Sequence, residues 1–402
     1  MHLFTRNINT AFTELVGALT ARRGLPGVCT DIPIVRRPSR NGPVIMIDEP
    51  VMVTYTHPRE RVLFNQARDA NPFLHLYHVL WMLAGRNDVT PLEYYASNMA
   101  NYSDDGRTLN GAYGYRWRKA LDKDREGEFY SHPIDQLRIL IDHLKSDPTS
   151  RRAVLQMWNV EDDLLKIGHT KSYQDFEDYN NQPSEQVSKD VCCNTAVYFS
   201  IREQSISTKG MTKDQRDEVG HDPCQQVLDM TVTNRSNDLI WGMLGEDYVT
   251  FSVLQEYVAA QVGVEVGRYD HFTNNLHVYE SNWKPDEWLA VEETQNRKTR
   301  DYIEQPLNMV PLVKDPKTFD EELPLFVEIN KDGEPTYARP WQEPFLADAQ
   351  TILNAFHNHK DREYGESLAW CERIKADDWR VAATNWITKR KEGHERRNKA
   401  AV

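Results

Sequence analysis

Apolar side chains recur at helical spacing through residues 72–85, PFLHLYHVLWMLAG, and stop at Gly85, which predicts a buried helix with a glycine at its C-terminus. Three runs of strand type follow: RRAVLQMW from Arg151, TAVYFSIR from Thr195 and VLDMTVTNR from Val227. Each is rich in β-branched or aromatic residues with partial alternation, and together they predict one large sheet. From Val249 to Val262 apolar positions return at intervals of three and four, so a long central helix is expected to pack on that sheet. The start, MHLFTRNINTAFTELVGAL, reads as an amphipathic first helix.

Two polar stretches, 166–190 and 203–224, lack core residues and read as surface insertions. Beyond about residue 340 the pattern turns helical and ends in the basic tail KRKEGHERRNKAAV, read as a solvated helix end rather than a nucleic-acid contact. There are no internal repeats. The expected class is α+β: a large mixed sheet packed by helices, with a catalytic domain over 1–340 and a helical extension over 341–402.

Composition narrows the function classes. The 402 residues, 40% of them hydrophobic, suit a sizeable core. A net charge of −13, from 48 basic and 61 acidic residues, argues against a duplex-DNA binder. No apolar run is long enough for a membrane span, and the N-terminus is too polar for a secretory signal. Cysteines at 29, 192, 193, 224 and 371 form neither an even disulfide framework nor the paired spacing of a zinc site. A reducing cytoplasm, and a thiol free for chemistry, are the expectation.

A pyrimidine is electron-poor at C6. A thiolate adding there turns C5 into a carbon nucleophile, so an enzyme using this route needs a thiol, phosphate anchors and readers of the base edge. Arg40 in SRNG, Arg151 and Arg152 in SDPTSRR, and Arg235 with Ser236 in NRSND are candidate anchors, because the guanidinium fork matches phosphate oxygens. Paired arginines are also common on plain surfaces. Cys193 is the candidate thiol, although a cysteine at a strand start is often a small core residue and Cys192 stands beside it.

The order of these pieces resembles thymidylate synthase and its close relatives, the deoxycytidylate hydroxymethylases, over roughly residues 36–315. The segments are SRNG, HVLWMLAG around Trp81, LNGAYGYRWR around Tyr113, SRRAVLQMW, CCNTAVYF, NRSND, WGMLGEDYVTFSVLQEY and NNLHVYESNW. The resemblance implies a homodimer in which Arg40, Arg235 and Ser236 bind the nucleotide phosphate and Arg151 and Arg152 reach it from the other subunit. It implies Cys193 as nucleophile, Tyr113 in the catalytic set and Asn194 among the substrate contacts. His277 and Tyr279 would hold the sugar 3′-hydroxyl, and Asp238, with Met99 and Gly242, would border the folate. The implied one-carbon donor is 5,10-methylenetetrahydrofolate.

Three departures from the family pattern bear on specificity. Asp247 stands where uracil-using members carry an asparagine. An amide accepts from N3–H and donates to O4 of uracil, whereas a protonated carboxyl, or one sharing the proton of a protonated N3, satisfies cytosine. The competing reading is that Glu246 or Asp247 merely caps the helix. Met99 stands where methylating members carry a tryptophan over the one-carbon unit, and a smaller side chain there would admit water; it also suits plain core. His78 replaces a glutamate that organises water and relays protons; imidazole is also an acid and base near neutral pH, or a core histidine bonded to backbone. The sequence thus leads to the expectation of a dCMP 5-hydroxymethylase. Methylation of dCMP, a dUMP-directed enzyme, and a non-catalytic nucleotide- or RNA-binding relative are the alternatives, and the resemblance implies a role in viral DNA-base modification.

Overall fold

A computed structural model of the chain describes residues 1–20, 32–39, 41–119, 133–164, 188–206, 224–295, 302, 307–333 and 339–400. Arg40 and most of both polar insertions lie outside the described residues. Ten strands are described, β1 (His2–Thr5), β2 (Ile34–Arg37), β3 (Val44–Ile47), β4 (Val51–Tyr55), β5 (Val154–Gln156), β6 (Asn194–Ser205), β7 (Cys224–Asn234), β8 (Asn237–Asp238), β9 (Glu265–Thr273) and β10 (Leu276–Tyr279). They form a six-stranded mixed sheet in the order β1-β4-β9-β7-β6-β5 and a four-stranded sheet in the order β2-β3-β10-β8.

The six-stranded sheet owes its two-sidedness to alternation. Along β6, Val197 and Phe199 are buried while Tyr198 and Ser200 are exposed, so one face meets the core and the other is open. In β7, Val227 to Met230 are buried without alternation, as expected of a strand held between β6 and β9. A bulge between Leu228 and Met230 breaks the β7–β9 register.

Eleven helices are described: α1 (Ile8–Leu19), α2 (Pro72–Leu83), α3 (Thr90–Tyr95), α4 (Tyr113–Arg118), α5 (Gln136–Ser146), α6 (Asp247–Val262), α7 (Pro285–Gln295), α8 (Pro316–Ile329), α9 (Pro344–Lys360), α10 (Tyr364–Cys371) and α11 (Asp377–Ala400). The central helix α6 is buried from Asp247 to Ala259 and stops at Gly263, whose φ of +88° only glycine adopts without strain. It lies on β7 and β9, and Gln255 Nε2 donates at 2.8 Å to the carbonyls of Leu228 and Arg268 beside the bulge. Helix α2 is buried at all twelve positions, which requires packing on every side. It meets α6 on one side, and Phe73 meets Phe356 of α9 and Trp386 of α11, at ring separations of 5.1 and 5.3 Å, on the other.

Two expectations need correction. The first element is a strand, because His2–Thr5 pairs in parallel with Met52–Tyr55; the helix begins only at Ile8, capped by Asn7. The second polar stretch starts within a hairpin, since Glu203 to Ser205 pair with Gln226 to Cys224; backbone pairing extends the strands where side chains show no apolar pattern. Among the described residues no helix is long and apolar enough to cross a membrane. The basic tail is part of α11, where Arg390 pairs with Asp69 and covers the Trp386 ring.

Candidate active site

The loop before β6 is clamped at several points. Asp163 pairs with Arg116 and accepts the Cys192 amide at 3.2 Å, while the Asp190 carboxylate accepts the Gly111 amide at 2.8 Å. This joins the two cysteines to the turn that begins α4. Cys192 is fully buried and its thiol donates to the Asn194 carbonyl at 3.1 Å. Cys193 is partly exposed. Arg235, just past β7, donates its amide to the Cys193 carbonyl at 2.9 Å and its side chain to the carbonyls of Cys192 and Val191, bringing its guanidinium to 3.7 Å from Cys193 Sγ.

Burial pushes the Cys193 thiol up to about 11, against the pull of the Arg235 charge; Asp247, Asp190 and Asp163 push it further. Burial drives Cys192 well above the ordinary thiol range. A cation at the sulfur is what a thiolate in a crowded site requires.

Behind the thiol runs a buried polar network. Asn194 Nδ2 donates to Asn234 Oδ1 at 2.7 Å, and Asn234 Nδ2 donates to Asp247 Oδ2 at 3.2 Å. Asn237 also bonds Asp247 and, through Nδ2, meets His271 Nε2 at 2.9 Å. Burial raises the Asp247 carboxyl to about 6, with the Asn237 hydrogen bond opposing it and the nearby Glu246 charge adding to it. Asp247 opens α6 without a side-chain capping bond from the preceding Glu246, and its carboxyl is held instead by Asn234 and Asn237. Tyr113 stacks on Phe251 of α6 at 5.6 Å and lies within electrostatic reach of both Asp247 and Cys193.

The Asp238 carboxylate caps the π-helical turn Leu239–Glu246, with Oδ1 accepting the amides of Ile240 and Trp241 at 2.8 and 2.6 Å. Gly242 sits in that turn, where an added Cβ would come within 2.0 Å of Asn237 Oδ1. His277 and Tyr279 share β10, their rings 5.5 Å apart, and Ser236 Oγ lies 3.5 Å from His277 Nδ1. Met99 opens the short turn Met99–Tyr102, half-buried against the core, and Tyr102 of that turn is within electrostatic reach of Tyr279 and Asp238.

Arg151 and Arg152 are not brought to this cluster within one chain. Pairing of Val154 with Tyr198 sets Arg152 level with Ser200, seven residues along β6 from Cys193, or roughly 23 Å at strand rise. Both side chains are exposed and neither guanidinium has a partner among the described residues.

The residue types point to His78, and to Glu246 only as a helix cap, but do not reveal His75, Arg68 or the contacts that join the four. His78 Nδ1 lies 2.8 Å from Glu246 Oε2, and His75 Nε2 lies 3.6 Å from Glu246 Oε1. Arg68 donates to the Ile240 carbonyl at 2.9 Å and sits 5.0 Å from the centre of the exposed Trp241 ring. The three-residue spacing of His75 and His78 on one helix was the available signal, since it puts both rings on one face. A separate cleft of about 490 Å³ between Leu63–Ala70 and α11 holds none of these residues.

Comparison with known proteins shows that residues 71–320 match the thymidylate synthase family. The deoxyuridylate hydroxymethyltransferase of Pseudomonas phage M6 is 36% identical over 99% of this chain and 97% of its own length. That of Bacillus phage SP01 is 35% identical over 57% of this chain and 49% of its own length. The thymidylate synthase of Wigglesworthia glossinidia brevipalpis is 32% identical over 29% of this chain and 43% of its own length.

Proposed function

The chain belongs to the thymidylate synthase family, and from that premise we propose that it hydroxymethylates C5 of a pyrimidine deoxynucleoside monophosphate, with dUMP as the substrate and Cys193 as the nucleophile. The observation that carries the reading is the convergence of a partly exposed thiol, a guanidinium 3.7 Å from its sulfur and a buried carboxyl that titrates near 6.

Cys193 adds to C6 as a thiolate, Arg235 stabilising the anion before attack. The donor, 5,10-methylenetetrahydrofolate, supplies the one-carbon unit that C5 takes up. The residues present suit a folate: Oδ1 of Asp238 holds both capping amides and Oδ2 carries no hydrogen bond among the described residues, so it is available to the N–H edge of a pterin. Trp241, 48% exposed, and Tyr102, 50% exposed, offer flat walls beside it.

Asp247 does not settle the base by itself. A protonated carboxyl presents one donor and one acceptor, which matches O4 and N3–H of uracil as well as N3 and the amino group of cytosine. Burial makes the protonated form accessible near neutrality. The Pseudomonas phage M6 relative, which matches 99% of the chain, is named for deoxyuridylate, which favours uracil. The cytosine reading retains the support of the carboxyl standing where an amide suffices for uracil.

The active unit in this reading is a homodimer. Val154 and Tyr198 are directly paired and exposed on the open sheet face, 40% and 46% respectively, and a second copy laid on that face would cover them. Arg151 and Arg152, remote from their own thiol, would then serve the phosphate in the partner's site. The four described cysteines are free, in keeping with action in a reducing cytoplasm, that of an infected cell for a phage enzyme.

Incubation with dUMP, dCMP or CMP plus the folate, followed by mass spectrometry of the nucleotide, tests this reading. The expected outcome is 5-hydroxymethyl-dUMP with kcat/KM for dUMP on the order of a hundredfold above that for CMP. Preferential turnover of dCMP would move the assignment to cytosine, and no turnover of any nucleotide would favour a binding protein.

A further inference from the structure

Glu246 lies at the end of the π-helical turn, where backbone angles depart from helix at Leu244 and Gly245, so that its carboxylate enters the buried space beside α2. His75 and His78 of α2 face it, with Arg68, Asp247 and Asp238 as the other charged groups around it. Burial pushes this carboxyl up, but the two imidazoles and the Arg68 charge outweigh that cost and hold it below its ordinary value, hence ionised. An ionised carboxylate only accepts, so the 2.8 Å contact makes His78 Nδ1 the donor, and in the neutral ring this leaves Nε2 as the lone pair. His78 Nε2 has no hydrogen bond to any described residue, and the side chain keeps 11% of its surface accessible. The ring lies within electrostatic reach of Asp247, the base-reading group.

We propose that Glu246 is a positioning residue that fixes His78 in this tautomer, and that His78 Nε2 is the base for the water that ends the reaction. The inference rests on the hydroxymethyl reading above. In this step the water oxygen bonds to the methylene carbon carried on C5 while its proton passes to Nε2. The electron pair of the C5–methylene double bond moves into the ring as an enolate. That pair then re-forms C5=C6 and expels the Cys193 thiolate from C6, and the proton on Nε2 returns to solvent. No oxidant or reductant is needed. The arrangement has the logic of a carboxylate-oriented histidine base, built here from α2 and an irregular turn.

The test separates early from late steps. Release of tritium from C5 of labelled dUMP reports thiol addition and one-carbon transfer, and 5-hydroxymethyl-dUMP reports water capture. Glu246→Gln keeps size and loses charge; it should lower product formation on the order of a hundredfold, leave tritium release and KM for dUMP within about threefold, and let added 2-mercaptoethanol trap the stalled methylene as a thioether. His78→Gln should show the same uncoupling. Should Glu246→Gln fail to fold, Glu246→Asp, which keeps the charge but withdraws it, should uncouple the two readouts in weaker form. Parallel loss of both readouts, or no loss of either, overturns the pairing while leaving the hydroxymethyl reading intact. A methylated product from wild type overturns both.

Discussion

Cys193→Ser is expected to abolish turnover, and Cys192→Ser to leave most of it, because only the first thiol is accessible and has a guanidinium at its sulfur. Turnover and peptide mapping of the nucleotide-trapped enzyme check this, and equal losses would undo the assignment. Asp247 gives a prediction about pH. Uracil recognition needs its protonated form and attack needs the ionised thiol. Between about 6 and about 11 each rise in pH makes the first rarer and the second commoner by the same factor, so wild-type kcat/KM for dUMP should be flat there and fall in acid. Asp247→Asn removes the carboxyl, and the profile should then rise about tenfold per pH unit through neutrality. A wild-type profile that already rises with that slope would mean the ionised carboxylate reads the base. Because the folded-state value lies above the unfolded one, stability from this carboxyl is present below pH 3.8 and lost as pH rises through about 6. Asp247→Asn should therefore be more stable than wild type at pH 8 by up to about 3 kcal/mol, read from denaturant unfolding, with the difference vanishing near pH 4. The candidate thiol and carboxyl were legible in the sequence as residue types in order. The Glu246–His78 contact was not, since it depends on a local backbone irregularity that no periodicity encodes.

At the scale of elements, the turn between β8 and α6 carries the greatest demand. An added Cβ on Gly242 would meet Asn237 Oδ1 at 2.0 Å and Asp247 Oδ2 at 3.2 Å. Gly242→Ala should therefore displace the base-reading network rather than the phosphate anchors, cutting kcat on the order of a hundredfold at little cost in melting temperature. Kinetics set beside thermal melts check this; an unchanged kcat would show that the turn yields freely. Helices α2 and α6 and the strands near 154, 197 and 230 were legible because their apolar positions repeat at helix or strand period. The strand at His2–Thr5 was not, because its parallel pairing with β4 is a long-range contact laid over a helix-like composition. The polar ends of the β6–β7 hairpin escaped for the same reason, being held by backbone bonds alone.

At the scale of the whole molecule, the distance of Arg151 and Arg152 from the thiol is the feature a single chain leaves unexplained. Arg152→Ala and Cys193→Ser chains, each inactive alone, should regain up to about a quarter of wild-type activity when mixed under subunit exchange, because one site of the mixed dimer has both groups intact. Exchange shown by mass without any recovery would rule out a shared site. The C-terminal helices share one apolar cluster with α2 through Phe356 and Trp386, so we expect removal of residues 341–402 to expose Phe73 and cost solubility before it costs chemistry. The central claim is that Cys193 opens C5 and that water closes the reaction, and turnover of dUMP in water enriched in oxygen-18 tests it most directly. The account predicts that the heavy oxygen appears in 5-hydroxymethyl-dUMP, released with tetrahydrofolate by wild type and absent with Cys193→Ser. An unlabelled methyl product released with dihydrofolate would contradict it.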